Sequence, residues 1–76
     1  MANRKGEIFI LQHIAELRKY KNGATLELNY TQCGNFPAGY DIRRWHLDEA
    51  GKKQPGVGIS LSESEFAELQ AVISEM

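Results

Sequence analysis

The stretch Tyr40–Ile73, YDIRRWHLDEAGKKQPGVGISLSESEFAELQAVI, decides the fold, because two strand patterns run straight into a well-marked helix start. Tyr40, Ile42, Trp45 and Leu47 interleave with Asp41, Arg43 and Arg44, an aromatic and β-branched run between Gly39 and the polar segment 48–56. Gly51, Pro55 and Gly56 turn the chain, and Val57, Ile59 and Leu61 then alternate with Gly58, Ser60 and Ser62 as a second strand with one apolar face. This is a hairpin whose loop carries Lys52 and Lys53. Ser62 and Glu65 have capping-box spacing, in which the hydroxyl accepts from the third helical amide and the carboxylate reaches back to the cap's own amide. Beyond them Phe66, Leu69, Val72, Ile73 and Met76 recur at steps of three and four, a stripe expected to cover a sheet face or a dimer contact.

Working outward, Lys21-Asn22-Gly23 is a strong turn signal, after which Leu26, Leu28 and Tyr30 alternate with Thr25, Glu27, Asn29 and Thr31 as a half-exposed strand. Residues 34–39, with Asn35, Phe36 and Pro37, connect it to the Tyr40 strand. Residues 7–20 are apolar on both faces for much of their length. A short helix competes here, but Ile8-Phe9-Ile10 favours a strand buried on both sides. The expected class is therefore α+β: a curved four-stranded antiparallel β-sheet followed by one C-terminal α-helix, ββββα. Residues 7–76 make a single domain after a loose start at 1–6, whose Arg4 and Lys5 can still reach a partner.

Seventy-six residues bury only about 60 to 65% of the unfolded chain's surface, so a second subunit is a natural source of extra core and a homodimer is expected. No apolar run is long enough to span a bilayer and no leader pattern is present, so the expected location is the cytoplasm. A single cysteine, Cys33, agrees. Net charge is −1, which argues weakly against a nucleic-acid binder, but its distribution does not. The helix holds four of the ten acids and no Lys or Arg, so residues 1–62 carry nine basic against six acidic side chains. The sheet is the basic part.

Catalytic constellations are not evident. His13, His46 and Cys33 lie on three different expected strands without metal-site spacing, and Cys33 has no local base. Asp48 and Glu49 read as solvated turn residues, and Gly56-Val57-Gly58 precedes a strand rather than a helix, so it is not a phosphate loop. Neither an enzyme nor a cofactor is expected. A binding surface is what remains. Alternation puts Arg43 and Trp45 on one face of their strand and Arg44 and His46 on the other. With one face under the helix, a guanidinium beside an indole on the other suits single-stranded nucleic acid: arginine neutralises phosphate and the ring stacks a base, worth about 1 to 3 kcal/mol. Asn29 and Thr31 can add hydrogen bonds. The competing readings are a core or dimer-interface Trp45 and an Arg43 ion pair, for example to Glu27.

The run from Asn22 to Ile73 resembles the bacterial YdbC-like branch of the transcriptional coactivator positive cofactor four family, small proteins that bind single-stranded DNA. NGATLELNY, YDIRRW, the Gly-containing turn with lysines and GISLSESEFAELQ carry the resemblance. It implies a ββββα dimer whose curved sheets hold single-stranded DNA, or RNA, in the bacterial cytoplasm at the nucleoid, with the transcription machinery as a further partner. Arg43 falls where the family has a DNA-contacting arginine, Trp45 and His46 where it carries strand aromatics, and Lys52 and Lys53 in its basic hairpin loop. The chain departs from the pattern at Cys33, where relatives often place a stacking ring, and in the uncharged loop 34–39. Phe36 is the substitute ring. The function so implied is sequence-tolerant single-strand binding in transcription, replication or repair; the alternative is a protein-interaction module with weak or lost nucleic-acid binding.

Overall fold

The structure, a computed structural model, describes residues 7–76. Four strands, β1 (Ile8–Lys19), β2 (Thr25–Cys33), β3 (Gly39–Leu47) and β4 (Lys53–Leu61), are followed by α1 (Glu63–Ser74). They form one curved antiparallel sheet in the order β1-β2-β3-β4, so the expected ββββα architecture is present. The start at residues 1–6, with Arg4 and Lys5, lies outside the described residues.

The turn chemistry behaves as its residues dictate. Gly23 adopts φ 89°, a conformation that favours glycine. The Tyr20 amide donates to Ala24 O at 2.8 Å, the Gly23 amide to Tyr20 O at 3.0 Å, and Asn22 Oδ1 accepts from the Ala24 amide at 3.0 Å. Ser62 caps α1 with both halves of the capping box formed: the Glu65 amide donates to Ser62 Oγ and the Ser62 amide to Glu65 Oε1.

Three expectations are corrected. First, β1 is an edge strand rather than one buried on both sides. Its 12 residues run against the 9 of β2, with register shifts between Ile10 and Gln12, His13 and Ala15, and Glu16 and Arg18. Leu11, Ile14 and Leu17 are the extra residues, and each is more than 40% exposed. By propensity alone residues 12–19 also suit a helix; the three-residue spacing of Leu11, Ile14 and Leu17 belongs to the bulges. Second, β4 begins at Lys53, so the hairpin loop is shorter than expected. Asp48 closes it early: its Oδ1 accepts from the Ala50 and Lys52 amides, and its own amide donates to Lys52 O. Pro55 is tolerated inside the strand because β4 is an edge. Third, the stripe on α1 is not covered. Phe66 stacks on Tyr40, centroids 4.0 Å apart, and Phe66 and Leu69 are half-buried, but Val72, Ile73 and Met76 are exposed.

The better-buried side of the sheet is the one facing away from α1, and it is polar. Glu27, Asn29, Thr31, Asp41 and Trp45 are all buried on it, Asn29 and Asp41 completely. The helix side carries Leu28, Tyr30, Tyr40, Ile42 and Ile59 in facing register.

Candidate nucleic-acid interface

Arg43 and Trp45 share the face opposite the helix, as alternation requires, but neither is open there. Arg43 Nε and Nη2 donate to the Asp41 carboxylate at 2.8 Å each, and Nη1 donates to Gly56 O at 2.8 Å. Its guanidinium is spent inside the molecule. The ion-pair alternative was legible, but the partner is Asp41, two residues along the same strand, rather than Glu27. Close approach of β4 makes room for this: a Cβ on Gly58 would stand 1.9 Å from Arg43 Cβ. Ser60 Oγ also donates to Asp41, at 2.8 Å.

Trp45 is 4% exposed. Lys53 Nζ lies 5.2 Å from its ring centroid and is also 2.7 Å from Glu27 Oε2, so this lysine covers the indole while neutralising a buried carboxylate. Thr25 Oγ1 and Asn29 Nδ2 donate to Glu27, and His13 Nδ1 meets Asn29 Oδ1 at 2.7 Å. Burial raises the Glu27 carboxyl, but the hydrogen bonds from Lys53, Thr25 and Asn29 outweigh it and hold the group below its ordinary 4.5. Trp45 Nε1 is buried without a hydrogen-bond partner among the described residues.

Of the residues singled out in the sequence, the fold brings together Trp45, His46, Lys52 and Lys53. Trp45, His46 and Lys53 line one open cleft of about 240 Å³, and Trp45, Lys52 and Lys53 line another of about 590 Å³. Asn29 and Thr31 are buried in the polar face, away from solvent. Phe36 is 73% exposed, but it sits in the β2–β3 turn at the opposite end of the sheet, with its carbonyl accepting from Gln32 Nε2. Cys33 is a half-buried free thiol in register with Ile8.

Three residues were missed. Arg44, on the helix side, is exposed, and its guanidinium carbon lies 4.8 Å from the centroid of Tyr20. Arg18 approaches the same ring to 4.9 Å. The available signal was Arg18-Lys19-Tyr20-Lys21, a basic run with one aromatic next to a tight turn. Among the described residues, Arg18, Lys19, Lys21, Arg44 and Lys52 have no carboxylate within ion-pair distance. All five belong to one end of the sheet, where β1 and β3 finish and β2 and β4 begin. Asp48 and Glu49 share that end, in the β3–β4 loop, while the acids of α1 follow the opposite one.

No group of three or more His, Cys, Asp or Glu side chains able to hold a metal is found among the described residues. No helix there is long and apolar enough to cross a membrane. No protein-family model and no curated protein sequence matches the chain.

Proposed function

We propose that this protein is a sequence-tolerant binder of single-stranded nucleic acid that works as a homodimer in the bacterial cytoplasm, in transcription, replication or repair. The observation that carries the reading is the gathering of five cations without an ion-pair partner among the described residues at one end of the sheet, beside Tyr20 and the lysine-covered Trp45. Phosphates need cations that are not already neutralised. Arg43 and Lys53 are satisfied internally, so the phosphate-binding role passes to Arg18, Lys19, Lys21, Arg44 and Lys52, with His46 beside them. The surface needs no cofactor and no covalent chemistry.

The test is anisotropy of labelled oligo-dT against a matching duplex across a salt series. The expected result is preference for the single strand, with log affinity falling against log salt by about 0.7 per neutralised phosphate. Equal, salt-insensitive binding to both, or none at low salt, rejects the reading. A protein-interaction module is the second reading, favoured by the open apolar stripe Val72, Ile73 and Met76 on an acidic helix. It predicts a polypeptide partner retained after nuclease treatment and released by Ile73→Glu.

A further inference from the structure

We infer that Arg18, Tyr20 and Arg44 form a clamp for the backbone of a single strand, on the helix side of the sheet rather than on the Arg43/Trp45 face; this rests on the reading above and names its site. Two guanidiniums lie over one phenol ring, at 4.9 Å and 4.8 Å from its centroid. A cation–π contact holds a guanidinium near a ring while leaving most of its N–H groups able to donate elsewhere. Arg44 gives one of them, Nη2, to the Tyr20 hydroxyl at 3.2 Å and keeps the rest. Bidentate recognition of a phosphate requires that kind of preset fork.

The fold builds this arrangement from three separate pieces. Arg18 pairs with Leu26 and Leu26 with Arg44, so the two arginines flank β2 across the sheet. The last bulge of β1 comes immediately before Arg18, and the register shift between β3 and β4 falls at Arg44. Both arginines therefore sit beside an irregularity of the ladder, where the local twist increases. The backbone of Tyr20 is fixed by the two hydrogen bonds of its turn, and its ring and hydroxyl are met by the arginines. Lys19 and Lys21 extend the positive field on either side of it.

An acidic polypeptide also seeks guanidinium groups, but it has no use for their planes. An unstacked base does, since it can lie on an exposed guanidinium face as it does on an aromatic ring. Arg18 and Arg44 are both exposed. The combination of phosphate fork and stacking plane fits a single strand better than it fits a run of carboxylates.

The experiment is an oligo-dT salt series on the full chain with Arg18→Gln, Arg44→Gln and Tyr20→Phe, alongside poly-L-glutamate as a second probe and a thermal melt of each variant. Each glutamine variant is expected to melt like the parent, to bind oligo-dT roughly three- to tenfold more weakly and to lose about 0.7 from the salt slope. Tyr20→Phe keeps the ring and is expected to bind like the parent. Parent-like affinity and slope in both glutamine variants overturn the clamp while leaving single-strand binding intact. A parent chain without single-strand preference overturns both. Loss of poly-L-glutamate binding with oligo-dT binding unchanged overturns the clamp and assigns the patch to an acidic polypeptide.

Discussion

Asp41 is completely buried, and Arg43 with Ser60 is what makes that burial tolerable. Removing the cation strands a carboxylate without its charge partner, so Arg43→Met is expected to cost about 3 to 5 kcal/mol in urea unfolding. A loss below about 1 kcal/mol would return Arg43 to the surface role that its place in the sequence suggests. Trp45 is buried to a similar degree, so Trp45→Ala is expected to unfold the protein more than it weakens any ligand, by about 3 to 5 kcal/mol. Trp45→Phe removes a buried donor that has no acceptor among the described residues, and its cost should stay within about 1.5 kcal/mol. Glu27 adds a pH dependence. Its carboxyl sits below 4.5 in the folded chain, so the unfolded chain takes up its proton first as pH falls. The stability it contributes is complete well above pH 4.5 and is lost as pH drops through the folded value. Urea midpoints of the parent should decline below that pH more steeply than those of Glu27→Gln.

At the level of elements, the helix start is the most secure local feature, and Ser62→Ala should cost about 1 kcal/mol by removing the hydroxyl that accepts from the Glu65 amide, while the backbone half of the box remains. Gly58→Ala is expected to cost about 1 to 3 kcal/mol, because the new Cβ collides with Arg43 and displaces it from Asp41. Both are read by thermal or urea unfolding. The contrast between these sites shows what the sequence could convey. Ser62, Glu65 and Lys21-Asn22-Gly23 act through neighbours a few residues away, so their consequences were legible, as was alternation along β2 and β3. Bulges are a property of two strands at once. Nothing in residues 8–19 alone states that the partner strand has only nine positions, so Ile8-Phe9-Ile10 suits a doubly buried strand and residues 12–19 also suit a helix. The openness of the Arg43/Trp45 face is illegible for a similar reason. Alternation put Arg43 and Trp45 on one face correctly, but which of two faces is closed depends on cross-strand pairs such as Lys53 with Glu27, 26 residues apart. Alternation also puts Arg44 on the side expected to be covered, whereas the helix meets that side through Phe66 on Tyr40 and leaves Arg44 exposed.

Taken whole, the described chain buries only Ala24 and Trp45 among its apolar side chains, while Val57, Ile59, Val72, Ile73 and Met76 stand more than half exposed. Such a molecule gains stability by covering that surface, and the proposed homodimer does so. Its urea midpoint is expected to rise with protein concentration, as it must when association and folding are linked. Ile73→Glu should abolish that dependence and yield a monomeric mass by sedimentation. A concentration-independent midpoint in a monomeric parent would reject the dimer. The bulged strand constrains how such a partner can approach. A neighbouring chain that tried to lengthen the sheet at β1 would need a continuous row of matching amides and carbonyls, and Leu11, Ile14 and Leu17 interrupt that row at every third residue. At the far edge, Pro55 lacks a donor and the register shift beside it breaks the row again. Both margins therefore lack the continuous row that strand addition needs, which disfavours edge-to-edge polymerisation and favours contact through the faces for the proposed second copy.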